Sequence, residues 1–85
     1  MTTTDKIADR VQAWVLEQFP LARERGITIT DSLLDSGIVD SLGTLDIVQF
    51  LESDFNLVVE DEEMVADHFE SIQAIVQFVD RKVGG

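Results

Sequence analysis

The residue in this chain best placed to do chemistry is a serine set where an irregular stretch gives way to a strongly patterned helix. Asp40, Ser41, Leu42, Gly43 and Thr44 stand at that junction. The first N–H groups of a helix have no partner within it and carry partial positive charge, so an anionic ester on the Ser41 hydroxyl would meet a favourable field. For an isolated serine ahead of an apolar helix, the commoner explanation is a plain N-cap. A hydrolase nucleophile is a further rival, and the residue inventory speaks against it. The nucleophile elbow needs Gly two residues before the Ser, where Val39 stands, and the only histidine is His68. A triad would also need an oxyanion hole and a substrate cleft, which a chain of 85 residues hardly supplies. No catalytic residue is therefore expected.

Other groups offer less. There is no cysteine, and with one histidine no transition-metal site can be completed, so His68 reads as a surface or boundary residue. The run Glu60 to Glu63 lacks the alternating oxygen ligands and glycine of an EF-hand loop. Trp14, Phe50, Phe55, Phe69 and Phe78 read as core. With six basic residues in all, they do not make a platform for stacking single-stranded nucleic acid.

The elements that would hold Ser41 follow from periodicity. Thr2, Thr3, Thr4 and Asp5 can each cap a first helix, in which Ile7, Val11, Val15 and Phe19 recur at i+4 and which stops at Pro20. From Leu21 to Asp40 the period is lost, and Gly26, Gly37 and several Thr, Ser and Asp mark a long connection. Ile27, Ile29, Leu33, Leu34, Ile38 and Val39 give it apolar anchors, so it is expected to be ordered, with a short helical turn near Ser32 to Asp35. From Ser41 the helical period returns through Leu45, Val48, Leu51 and Phe55, with Asp46, Gln49, Glu52 and Ser53 outward. Leu57 to Val59 read as an extended, core-anchored connection. The acids from Glu60 would open a short third helix running to Phe69, and Ser71 would cap a last one built on Ile72, Ile75, Val76 and Val79. The expected fold is all-α: one domain over residues 1–85, three main helices and one short one, a long first loop, and fraying at Gly84 and Gly85.

Charge narrows the partners. The net charge is −11, no Lys or Arg occurs between Gly26 and Asp80, and such a surface repels nucleic acid while favouring cationic proteins. No cationic leader precedes an apolar core, and no apolar run approaches the ~20 residues of a membrane span, so a cytoplasmic monomer is expected.

Residues 40–63, DSLGTLDIVQFLESDFNLVVEDEE, resemble the part of acyl carrier proteins that begins at their modified serine and runs down the second helix. Leu33, Asp35, Gly37 and Ile38 resemble the approach to that serine. Phe69, Ser71, Ile72, Ala74 and Ile75 are similar to the entry to the family's last helix. The resemblance implies 4′-phosphopantetheine on Ser41, attached from coenzyme A by a separate phosphopantetheinyl transferase. Acyl or aminoacyl thioesters would then be carried on the terminal thiol, for fatty-acid, polyketide, nonribosomal peptide or related synthesis. It also implies a docking face for a ligase, synthase or transferase with a basic surface, made by Asp40, Leu42, Leu45, Asp46, Gln49 and Glu52. The plainer reading of that face is an ordinary solvated helix surface. Gly43 stands where fatty-acid carriers are often acidic, Glu60 where they usually have Pro, and the stretch from Met64 to Glu70 is slightly longer. The DSxGT pattern resembles D-alanyl carriers and some stand-alone carriers of secondary metabolism. The alternatives to a carrier are an acidic helical adaptor or inhibitor that binds a basic protein surface, and a stand-alone esterase.

Overall fold

Ile7, Val11 and Val15 bury one stripe of the first helix, α1 (Thr3–Gln18), in a computed structural model that describes residues 3–84, with side chains from Asp5 onward. Of the capping candidates, Thr2 lies outside the described residues, while Asp5 sits in the helix's first turn. Phe19 leaves the helical region (φ −118°, ψ 92°), as expected of a residue before proline. Pro20 does more than end α1. Its fixed φ and missing N–H suit the first turn of a helix, and it opens a short one, α2 (Pro20–Glu24), where the sequence suggested irregular chain. Gly26, at φ +60°, closes that turn in the left-handed conformation that favours glycine.

The connection that follows is ordered, and its backbone explains how. Leu33 N–H donates to Glu70 O at 2.6 Å, Gln73 N–H to Ile29 O at 2.9 Å, and Val39 N–H to Leu33 O at 3.0 Å. Leu33, Ile38 and Val39 are buried as expected. Ile29 corrects the reading, because its side chain is 41% exposed and its carbonyl is the anchor. Between Ser32 and Gly37 the chain makes turns and no helix: Asp35 N–H is held by Ser32 Oγ (2.9 Å) and Gly37 N–H by Leu34 O (3.1 Å).

α3 (Ser41–Phe55) ends at Asn56, a left-handed cap (φ 53°, ψ 47°). Leu57 and Val59 are then buried and Val58 is 62% exposed, the alternation of extended chain. Helix formation after Glu60 is broken into a 3-10 turn (Asp61–Glu63) and a short helix, α4 (Ala66–Phe69). The expected single helix is divided where the Met64 (φ −83°, ψ 65°) and Val65 (φ −115°, ψ 150°) backbones leave the helical region. Glu63 caps the 3-10 turn by accepting from Glu60 N–H (3.0 Å), its carboxylate also accepts from Lys82 Nζ (2.8 Å), and its carbonyl lies 2.8 Å from His68 Nδ1. Ser71 Oγ accepts from Ala74 N–H at 3.1 Å and caps α5 (Ile72–Gly84), as the sequence suggested. Of the two glycines expected to fray, Gly84 is the last residue of α5, and Gly85 lies outside the described residues.

α5 is the central element: Ile72, Ile75, Val76, Phe78 and Val79 are buried, and the helix packs on α1, α3 and α4. The all-α reading with three main helices holds, the short pieces being two helices and a 3-10 turn. Among the described residues, no helix is long and apolar enough to cross a membrane.

Candidate functional site

The start of α3 places Ser41, and the residue that caps the helix is Asp40. Asp40 is extended (φ −106°, ψ −168°), and its Oδ1 accepts from Gly43 N–H at 2.8 Å. Its carbonyl accepts from Thr44 N–H at 2.9 Å and from Thr44 Oγ1 at 3.0 Å. Ser41 is thereby relieved of the capping role. It is the first helical residue, exposed, with a hydroxyl that makes no hydrogen bond within the described chain. The sequence had two cap-competent side chains in succession, and only the backbone geometry decides between them.

Ser41 opens onto a cleft of about 600 Å³ between α3 and the segment around α4. Leu34, Val39, Thr44 and Leu45 line one part of it and Met64, Val65, Ala66 and Phe69 another, so the lining is chiefly apolar. Met64 and Val65 were not singled out as site residues from the sequence, because they come from the segment read as an ordinary short helix. What could have marked them is two large apolar residues following a run of four acids.

The other expected docking residues divide. Leu42 is 73% exposed beside Ser41, and Leu45 is exposed at the cleft. Asp46 and Gln49 are exposed but also border a second groove against α1, together with Arg10 and Trp14. Glu52 is half-buried, and its Oε2 accepts from Val59 N–H at 3.0 Å, so it fastens the chain after α3. In the second groove Arg10 Nε donates to Asp54 Oδ2 at 2.6 Å while its guanidinium lies 5.6 Å from the centre of the Phe50 ring.

Gly43, where fatty-acid carriers are often acidic, is a poor helix former in the first turn of α3. The structure supplies a packing reason for it: the residue is buried, and a Cβ there would come within 3.0 Å of Phe19 Cε1 and 3.1 Å of Val39 Cγ1.

His68 lies at the boundary of the core, stacked on Phe78 with ring centres 4.7 Å apart. Behind the cleft, Glu63 is held below the usual carboxylate range, first by the hydrogen bond from Lys82 and then by that from the Glu60 backbone.

No family model matches the chain. It is similar to the D-alanyl carrier protein of Streptococcus pyogenes serotype M5 (strain Manfredo), 40% identical over 50 residues, which cover 59% of this chain and 63% of the relative. The proteins of that name from serotype M49 (strain NZ131) and serotype M1 match with the same identity and coverage. The chain thus spans less than two thirds of the length of these curated relatives.

Proposed function

We propose that this chain, whose likeness to D-alanyl carrier proteins supports the carrier-protein family, holds an acyl or aminoacyl group as a thioester on a 4′-phosphopantetheine arm at Ser41. One observation carries the reading: the Ser41 hydroxyl stands exposed and unbonded at the first position of α3 because Asp40 does the capping. The surroundings fit such an arm. There is a hydroxyl to esterify, a helix N-terminus that favours an anion, and an apolar cleft alongside. When bound, the arm supplies a terminal thiol, and in a chain without cysteine that thiol has no internal competitor.

Attachment is a phosphoryl-group substitution. Ser41 Oγ bonds to the β-phosphorus of coenzyme A, the bond from that phosphorus to the oxygen of adenosine 3′,5′-bisphosphate breaks, and the hydroxyl proton passes to a base of the transferase. This chain contributes position and field, and the separate transferase contributes the base. In this reading the chain carries its cargo and the docked enzymes transform it.

The names of the relatives and the DSxGT pattern favour an aminoacyl cargo of the D-alanyl kind. Partners would be the transferase and then a ligase and an acceptor enzyme, met through Leu42, Leu45 and the neighbouring carboxylates. Tethering raises the cargo's effective concentration at each docked enzyme. Contacts with cationic surfaces would weaken as salt rises.

The test is incubation with coenzyme A and a broad-specificity phosphopantetheinyl transferase, followed by intact mass. The wild type gains one phosphopantetheine and Ser41→Ala gains none. A wild type that stays unmodified under conditions where a known carrier is fully converted removes this reading and leaves an acidic adaptor.

A further inference from the structure

Glycine inside a helix costs about 1 kcal/mol relative to alanine, so Gly43 in the first turn of α3 calls for a physical reason. Conformational freedom is not that reason, because Gly43 is absent from the residues with positive φ. Close approach is. A Cβ on Gly43 would lie 3.0 and 3.3 Å from Cε1 and Cζ of Phe19 and 3.1 Å from Cγ1 of Val39.

Phe19 is itself firmly placed. Its N–H donates to Val15 O and its carbonyl accepts from Ala22 N–H, both at 2.9 Å, which ties it to α1 on one side and α2 on the other. Its ring meets Trp14 edge-on with centres 5.8 Å apart, and Trp14 stacks on Phe50 at 4.4 Å and 8°. The packing therefore leaves α3 at Gly43, passes through Phe19 and Trp14, and re-enters α3 at Phe50, two helical turns further on. Val39, buried on the opposite side of Ser41 in sequence, completes the seat. Among the described residues the exposed Ser41 hydroxyl has no hydrogen-bond partner, so its location is inherited from these neighbours.

We propose that Phe19, acting through the bare Cα of Gly43, is a positioning residue that sets where the first turn of α3 presents the Ser41 hydroxyl. The inference rests on the reading of Ser41 as the attachment point. A Cβ at position 43 lifts this turn off its seat or tilts the ring beneath it. A nucleophile displaced by a fraction of an ångström loses turnover more than affinity.

The experiment measures phosphopantetheine transfer by intact mass, at saturating coenzyme A and varied carrier, for wild type, Gly43→Ala, Phe19→Leu and the double variant. Melting temperature and the Ser41 amide resonance are recorded for each. Gly43→Ala should lower kcat about tenfold with KM within about twofold, since sub-ångström misplacement falls short of the 10²-fold cost of a full ångström. Its melting temperature should barely move, because the helix propensity gained by alanine offsets the strain. Adding Phe19→Leu should return kcat to within about threefold of wild type and move the Ser41 amide back towards its wild-type position, the signature of coupled neighbours. The proposal is overturned if Gly43→Ala is modified at the wild-type rate, or if the double variant is no better than Gly43→Ala. It is overturned equally if kcat falls only in step with stability. A wild type that gains no mass refutes the attachment reading instead, and the Ser41 amide shifts then decide the packing relation on their own.

Discussion

Replacing Asp40 with alanine removes the oxygen that holds Gly43 N–H at 2.8 Å and, with it, an acidic group at the start of a fifteen-residue helix. Loss of an N-cap costs about 1 kcal/mol, within roughly 0.5–2. Loss of the charge at the helix terminus adds about 0.3–1 kcal/mol. Gly43 is buried, so its N–H is left with poor access to water, which pushes the cap term towards its upper end. The sum is about 1.5–2.5 kcal/mol, and at roughly 4–8 °C per kcal/mol for a domain of this size the melting temperature should fall by about 6–20 °C. Asp40→Asn keeps an oxygen acceptor and loses only the charge, so it should fall by about a third as much. Thermal unfolding followed by circular dichroism at neutral pH and low salt, with urea midpoints as a second measure, resolves the two. A further effect follows from competition. Without Asp40, the helix can begin one residue later with Ser41 as its cap, withdrawing the hydroxyl from solvent, so Asp40→Ala should also be modified more slowly than Asp40→Asn. If Asp40→Ala melts within about 2 °C of wild type, or Asn costs as much as Ala, the capping argument and the exposed-hydroxyl reasoning built on it are refuted.

Ser41→Ala should leave stability within about 0.5 kcal/mol of wild type by urea unfolding, because the hydroxyl it removes is exposed and unbonded. Leu51→Ala, at a fully buried position of α3, should cost about 2–5 kcal/mol and shift the urea midpoint accordingly. Glu63 gives an acid-side prediction. Its folded-state pKa lies below its unfolded value, so its contribution is fully present above the unfolded pKa and lost as pH falls through the folded one. Lys82→Met should raise the Glu63 pKa towards the ordinary carboxylate value, seen by carbon-detected NMR titration, and flatten that part of the stability profile. An unchanged titration would show that Lys82 is not the principal cause.

The three long helices were legible because each repeats its apolar residues at three- and four-residue intervals, and burial of Ile7, Val11, Val15, Val48, Leu51, Ile72, Ile75 and Val79 follows that pattern, whereas Leu45, read into the same stripe, is exposed at the cleft. The place of Ser41 at the start of α3 was legible from the helical period that begins there. Less legible were features that depend on residues distant in sequence. Pro20 both terminates and initiates, and a single proline carries both signals. Ile29 looked like an anchor by side chain, yet its carbonyl is what Gln73 holds. Glu52 looked like part of an outward face, but Val59 N–H draws its carboxylate back. The split after Glu63 lies in the non-helical backbone at Met64 and Val65, which no apolar period marks. The reason for Gly43 lies in Phe19, 24 positions upstream, whose ring occupies the space a Cβ would need.

The bonds from Leu33 N–H to Glu70 O and from Gln73 N–H to Ile29 O also set an order of events during synthesis. Both join the long connection before Ser41 to a stretch far downstream, at the entry to α5. A ribosome that has released only as far as α3 has delivered the serine without the residues that pin its approach. The shape of this segment therefore waits for residues 70–73 to emerge, and under the proposed reading a transferase that recognises that shape would leave half-emerged copies alone.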